Sequence, residues 1–428
     1  MAYPNEDNGK RRGNRRPNRQ RKRDQALRRR RYLIIGIAAA VLVALSVLLI
    51  ILLQPGSAPQ PTEPTQESTL PLNTDPTEPE TKITIAFGGD LNITDKVVNS
   101  GANEIGYDYT DVFMDIAPTL AGADAAIINL EGNFSTDPYG TLNTSAPAEL
   151  AKALAAAGVD MVQTANSCSI NNGLLGLRQT INTIRYAGME PLGTYVTPQE
   201  QERSRGFVLR DINGIKVAFV AFTKGLDGLS LPVGSEGCVN LLYTDYTSTY
   251  TDVNTEGIRR ILQDVALEKP DVTVALLHWG SAYNSIVSQS QEKIVQLMQD
   301  EGVDAIIGTH SHYVQDIAYD AANSTFVAYS LGDLLGDAEK HYTNASAILQ
   351  LEFTRDNNTG ITTISGYDYT PVFICEEEVD GQPRLKLLRI RQAIEAYEAN
   401  SIHRVSDAAY EAMKAALSRI ESKLDPET

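Results

Sequence analysis

This chain of 428 residues is short of histidine, with five, and of cysteine, with three. The three cysteines, Cys168, Cys238 and Cys375, exclude a disulfide framework, because the count is odd, and their spacings match no zinc pattern. Buried free thiols are the expectation. No short-period repeat is present, which argues against a solenoid or a propeller. The length suits one large domain or two of medium size, with a substantial buried core.

Positive charge is scarce everywhere except at one end. Residues 1–31 hold 13 Lys/Arg and 3 Asp/Glu, a net of +10. The whole chain carries −17, so the other 397 residues carry −27. The segment Tyr32–Leu53 explains the split: it is 22 residues long, almost wholly apolar and uncharged. At a rise of about 1.5 Å per residue it spans a hydrocarbon core of about 30 Å. The block Arg28–Arg31 precedes it directly, so positive-inside bias puts the N-terminus in the cytoplasm and the rest outside. A cleavable signal peptide fits less well. Its apolar region is usually shorter, and the nearest small triplet, Gly56–Ala58, is followed by Pro59. The basic arm is read as a topology and anionic-lipid signal rather than a nucleic-acid site.

The expected organisation is a basic cytoplasmic arm (1–31), a transmembrane anchor (32–53), a Pro/Thr/Glu-rich linker (54–80), a main domain (81–375) and a C-terminal helical extension (376–428). Seven of the 19 prolines lie between Pro55 and Pro79, in a stretch that cannot bury a core. In the body, strands are expected at 82–87, 125–130, 159–163, 207–210, 215–222, 272–278, 305–308, 314–319, 326–329, 347–353 and 361–373. Helices are expected at 112–120, 147–157, 174–186, 258–267 and 289–299, and in the tail from Ile390. Asn213-Gly214 marks a hairpin turn. This alternation reads as an α/β fold.

Three of the five histidines end apolar runs. His278 closes Val274–Leu277, and His310 and His312 follow Ile306–Thr309. Ligand sites in α/β sheets form beyond the carboxyl ends of strands, and neutral imidazole is a common metal ligand. Two further strand ends carry carboxylates, Asp90 and Glu131. This donor set suits Zn, Mn or Fe. Five ligands exceed one closed tetrahedral site, so one or two divalent ions are expected. His341 and His403 are read as surface residues.

The motifs Phe87-Gly-Gly-Asp90, Asn129-Leu-Glu131, Ala165-Asn166, Gly173-x-x-Gly176-Leu177, His278-Trp-Gly280, Gly308-Thr-His-Ser-His312 and Ser330-Leu-Gly-Asp333 occur in this order. In this the chain resembles the capsule-synthesis CapA family, which handles poly-γ-glutamate and is related to calcineurin-like metallophosphatases. The resemblance covers roughly Thr81 to Asp337. It implies a four-layer α/β/β/α metallophosphatase-like sandwich behind one N-terminal transmembrane helix, and cell-surface work on an anionic polymer. It carries metal ligation to Asp90, Glu131, His278, His310 and His312, and points to Asn166 and Trp279 as substrate-binding positions. The family loop usually reads Ala-Asn-Asn-His, with a metal ligand and a general acid at its last two positions; here Ser167 and Cys168 stand there. Asn171 replaces an expected Asp, and Asp333 replaces an expected Asn. With the loop acid missing, Asp333 and His312 are the candidate catalytic residues.

Three readings follow. The first is a membrane-anchored, extracytoplasmic protein for synthesis, export or retention of a poly-γ-glutamate-like polymer, working with other membrane capsule-synthesis proteins. The second is a metal-dependent hydrolase of envelope phosphoesters or amides. The third is a polymer-binding module that has kept the fold and lost both chemistry and metal.

Overall fold

The computed structural model describes residues 79–338, 340, 342–379, 381–401 and 405–425. The basic arm, the expected membrane anchor, nearly all of the linker, His341 and His403 lie outside the described residues. Among the described residues no helix is long and apolar enough to cross a membrane.

In chain order the strands are β1 (Glu80–Asn92), the short pair β2 (Ala102–Asn103) and β3 (Gly106–Tyr107), β4 (Ala125–Glu131), β5 (Met161–Gln163), β6 (Glu190–Leu192), β7 (Phe207–Ile212) and β8 (Ile215–Thr223). Then come β9 (Val272–His278), β10 (Ala305–Thr309), β11 (Ile317–Asp320), β12 (Thr325–Ala328), β13 (Asp333–Leu335), β14 (Ala345–Asp356), β15 (Thr362–Val379) and β16 (Gln382–Arg389). The first sheet runs β16-β15-β14-β1-β4-β5-β6, with β13 beside the far end of β1. The second runs β11-β12-β10-β9-β8-β7. Strands β1, β4, β5 and β6 are mutually parallel, as are β8, β9, β10 and β12.

Every residue of β4, β9 and β10 is buried. That is the pattern of parallel strands covered on both faces, and it explains their unbroken apolar runs. Between the sheets, Ile85, Phe87 and Ile127 pack with Phe219, Leu276 and Ile307. The other face of the first sheet is covered by helical Val112, Phe113, Leu150 and Leu154. The other face of the second is covered by Ile258 and Leu262 of Thr255–Glu268 and by Ile294 and Met298 of Gln289–Asp300. The layers are therefore helix, sheet, sheet, helix, in a mixed α/β fold.

Two glycines allow the close approaches that shape the strand ends. A Cβ on Gly89 would lie 1.9 Å from the Gly332 carbonyl oxygen, and one on Gly308 would lie 2.0 Å from that of Tyr329. Without side chains there, Asp90 donates its N–H to Gly332 at 2.9 Å.

The described residues correct three expectations. The helix expected at 112–120 is two short pieces, Thr110–Phe113 and Ala117–Ala121, the second with Pro118 in its first turn, where its missing N–H costs nothing. The boundary at 375/376 falls inside β15. Residues 376–389 are the end of that strand and β16, with Leu385 and Leu387 buried and charged neighbours outward. The helices that do follow, Ile390–Glu398 and Asp407–Leu424, pack Ile390, Met413, Ala416, Ile420 and Leu424 onto Tyr369, Phe373 and Cys375. They belong to the same core. The cysteines are free, Cys238 and Cys375 buried and Cys168 half-buried.

Candidate metal centre

The polar residues expected at strand ends meet at one edge of the two sheets. Asp90 lies near the end of β1, Glu131 ends β4, His278 ends β9, His310 and His312 follow β10, and Asp333 opens β13. They form two groups. Ligand atoms of Glu131, His278 and His310 lie within 4.8 Å of one another, and so do those of Asp90, His312 and Asp333. Asp333, a catalytic candidate from the sequence, lies among the ligand-type side chains. His312 sits in the same group.

The first group is held by short-range contacts. His278 Nε2 lies 3.4 Å from Glu131 Oε1, and His310 Nδ1 lies 3.9 Å from the same oxygen. His278 Nδ1 is 3.1 Å from the Thr309 hydroxyl and 3.4 Å from Asn129 Nδ2. In the second group His312 Nδ1 is 2.8 Å from Asp333 Oδ1. Asp90 ties the groups together: it accepts from Asn129 Nδ2 at 2.5 Å and from the His310 backbone N–H at 2.9 Å. His310 and His312 both have positive φ, 90° and 60°. Such conformations are uncommon outside glycine and cluster at functional sites, where surrounding contacts hold them.

Charge is shared unevenly. Burial and the nearby Glu131 raise the Asp90 carboxyl above its usual range. Burial also works against ionised Glu131, but His278 and His310 more than reverse it, so this carboxyl falls well below its usual range. Burial and the neighbouring His278 push His310 down to about 4, leaving a neutral imidazole at pH 7. Burial disfavours charge on His312 too, yet the adjoining Asp333 carboxylate lifts it to about 10.

The donor set fits divalent metal. Glu131 Oε2, His310 Nδ1 and Asn129 Oδ1 are buried and have no hydrogen-bond partner among the described residues. Buried polar atoms are rarely left so, and orphans on three converging side chains call for a further partner such as a cation. Two imidazoles with one carboxylate, and two carboxylates with one imidazole, both match borderline divalent ions.

The flanking loop meets this centre with a hydroxyl. Ser167 Oγ lies 2.8 Å from His278 Nε2. Burial raises the Cys168 thiol far above its usual value, and its sulfur belongs to neither ligand group. Asn171 anchors the loop by donating to the Thr144 hydroxyl at 3.0 Å. Asn166 and Trp279, expected to touch substrate, do not face the cleft. Asn166 is fully buried and its carboxamide bonds the Leu130 carbonyl and the Cys168 N–H. Trp279 is fully buried, stacks on Tyr329 and donates to that residue's carbonyl at 2.9 Å. Their polar atoms hold the strand ends in place.

The sequence motifs contained Asn129 and Thr309 but assigned them no role at the site, and Lys224 and Tyr283 were missed. Asn129 left a signal, a single polar residue inside the apolar run Ala125–Leu130. Lys224 directly follows β8 and donates to the Gly280 carbonyl at 2.6 Å. Tyr283 stacks on His312, ring centroids 4.5 Å apart, from a loop without local pattern.

The family profile described as "Bacterial capsule synthesis protein PGA_cap" matches residues 84–338. The chain is similar to "Capsule biosynthesis protein CapA" of Bacillus anthracis, 26% identical over 290 residues and spanning 66% of each protein. It is similar to "PGA biosynthesis protein CapA" of Bacillus subtilis (strain 168), 22% identical over 312 residues, 69% of this chain and 75% of that protein. Among solved structures, calcineurin-like phosphoesterase YfkN from Bacillus subtilis aligns at a TM-score of 0.41 and 16% identity, covering 68% of this chain and 91% of that one. A hypothetical protein from Thermus thermophilus aligns at 0.40 and 13% identity, covering 68% and 98%.

Proposed function

We propose, from the premise that this chain belongs to the bacterial capsule synthesis PGA_cap family, that it is a membrane-anchored, extracytoplasmic protein that handles a poly-γ-glutamate-like polymer through a divalent-metal centre. The observation that carries the metal part is the pair of ligand groups at the strand ends, with unpartnered atoms on Glu131 and His310. Glu131, His278 and His310 would hold one ion; Asp90, His312 and Asp333 would hold a second. Bound metal supplies positive charge that attracts and polarises carboxylate or phosphoryl oxygens. That charge is what a body with a net of −27 beyond the basic arm needs in order to approach an anionic polymer. The layered α/β architecture with donors at the carboxyl strand ends supports a metallophosphatase-type site. The uncharged run Tyr32–Leu53 after Arg28–Arg31 supports the anchor and its orientation.

A hydrolase reading has weaker support. The loop position of the family's acid is Cys168, whose thiol is buried and held protonated. A positioned acid usually contributes about 10²–10⁴-fold. Binding and retention of polymer ask for no such group.

The test uses the full chain in detergent. Elemental analysis is expected to find one or two equivalents of Mn, Zn or Fe. A fluorescent γ-linked glutamate octamer is expected to bind the loaded protein and to be released by chelator. A protein that takes up none of these metals, or an octamer that binds equally well after chelation, would sink the proposal.

A further inference from the structure

A row of tyrosines leaves the metal centre and ends at the C-terminal helix. Tyr283 stacks on His312. Tyr283 and Tyr313 have ring centroids 6.4 Å apart at 71°, and Tyr313 and Tyr342 lie 6.5 Å apart at 69°. The three come from separate loops, and each pair meets edge to face, a favourable aromatic arrangement. The backbone N–H of Tyr283 donates to the Ser311 carbonyl at 2.8 Å, between the two paired histidines. The near end of the row is thus pinned to the ligand loop itself. Tyr283 and Tyr342 remain 43% and 44% exposed.

A cation stands at each end. Lys340 Nζ lies 3.2 Å from the centre of the Tyr283 ring, and the Arg419 guanidinium lies 4.1 Å from that of Tyr342. Arg419 has no carboxylate partner among the described residues. Its neighbour Lys423 differs, since it is paired with Asp316 at 2.9 Å. A hollow adjoins each cation. One, of about 160 Å³, opens between His312, Lys340, Asn92 and Thr94, with Asp333 and Asp337 also on its lining. The other, of about 190 Å³, lies between Tyr313, Tyr342 and Arg419. In a strongly acidic body, the hollow beside Arg419 has no carboxylate on its lining, while Lys340 and His312 face Asp333 and Asp337 across the other.

We propose that the Tyr283–Tyr313–Tyr342 row, with Lys340 and Arg419, is an extended subsite for an oligomeric polycarboxylate that leads from the metal centre to the C-terminal helix. The hollow beside Arg419 suits one carboxylate-bearing unit, the hollow at the metal centre suits a unit whose carboxylate reaches Lys340 and the metal held by His312 and Asp333, and the tyrosines line the path between them. The two separated cations favour a chain with repeated charges over a single anion. Arg419 keeps its charge at any working pH and binds carboxylates through a planar fork. The subsite gives the C-terminal helix a role in ligand binding, and Arg419 lies well outside the family-matched residues 84–338. This inference rests on the polymer reading above.

The test compares the wild-type full chain with the double variants Lys340→Glu/Arg419→Glu and Lys340→Gln/Arg419→Gln, at matched metal content and melting temperature. The probes are a γ-linked glutamate octamer and the corresponding dimer. Reversal is expected to weaken the octamer on the order of tenfold, and neutralisation less, while the dimer, which reaches Lys340 but not Arg419, loses less than the octamer in both variants. An octamer affinity unaltered in both variants overturns the subsite and leaves the polymer reading standing. So does an equal loss for dimer and octamer, which would put the effect at the metal centre. If the wild-type chain binds no octamer, both readings fail. A phosphodiester-linked oligomer of equal charge that binds the row more tightly overturns the carboxylate assignment.

Discussion

The two ends of the same parallel strands use aspartate in opposite ways. At the entry end, four strands are preceded by aspartate: Asp124 before β4, Asp160 before β5, Asp271 before β9 and Asp304 before β10. Each carboxylate accepts a backbone N–H from the neighbouring strand, from Thr84, Ala126, Lys216 and Thr273 respectively, at 2.7–2.8 Å. Each aspartate also donates its own N–H to the carbonyl of that same residue. One aspartate thus grips both polar groups of one residue and fixes the register of two strands. At the exit end Asp90 also accepts two hydrogen bonds, but Glu131 keeps an oxygen without a partner, and so does His310 a nitrogen. A satisfied carboxylate sets register, while a cluster with unsatisfied atoms is a place for a ligand.

The sharpest break in that comparison is Asp90→Asn. It removes a charge that burial already disfavours. The new amide can donate to Asn129 Oδ1, an atom with no partner, after the Asn129 carboxamide turns over. The metal-free variant is therefore expected to melt within a few degrees of wild type. Metal affinity is expected to fall by more than about 10²-fold, beyond what loss of an outer-shell partner costs. Titration of metal into the two proteins, followed by calorimetry, reads both. Retained affinity would move Asp90 from the ligand end of the comparison to the register end. Asp304→Ala is the counterpart. It strips the Thr273 N–H of its acceptor, and about 1–2 kcal/mol of stability should go with it. Metal affinity should not change.

The exit end was legible in the sequence because buried parallel strands are unbroken apolar runs, and the first polar residue after each stands out. That is how Asp90, Glu131, His278, His310 and His312 were found. The turn at Asn213-Gly214 was equally plain, since both residues adopt positive φ there, 49° and 88°. What stayed hidden depends on contacts between distant segments. The three tyrosines carry no shared local pattern, and Asn166 and Trp279 looked like ligand contacts because their motifs adjoin the site. Only the fold shows that their polar atoms face the backbone. The β15–β16 pair was hidden for another reason: Glu376–Glu378 are three consecutive charged residues on both faces of the strand, Glu376 and Glu378 exposed and Glu377 half-buried, and their charge masks the alternation. The entry-end aspartates were visible as residues but not as a set, since turn and cap positions favour aspartate everywhere.

A smaller effect tests the register end by pH. Burial raises the Asp304 carboxyl to about 6, against its hydrogen bond from Thr273, which favours the charged form. The folded protein thus holds this proton more tightly than the unfolded chain, where an aspartate titrates near 3.9. By linkage, Asp304 costs stability at neutral pH, and that cost disappears as pH falls through about 6 towards 4. Asp304→Asn has no such titration, and its carbonyl oxygen can still accept from Thr273. At pH 7.5 the variant should equal or exceed wild type in stability. Between pH 7.5 and 4.5 wild type should gain on it by roughly 1–2 kcal/mol, a discounted figure because the side chain is only partly shielded from water. The difference between the two denaturation midpoints is the quantity to follow, since it cancels titrations common to both proteins. If that difference stays flat across the range, Asp304 does not sit in the buried, register-setting environment that separates the two ends of the strands.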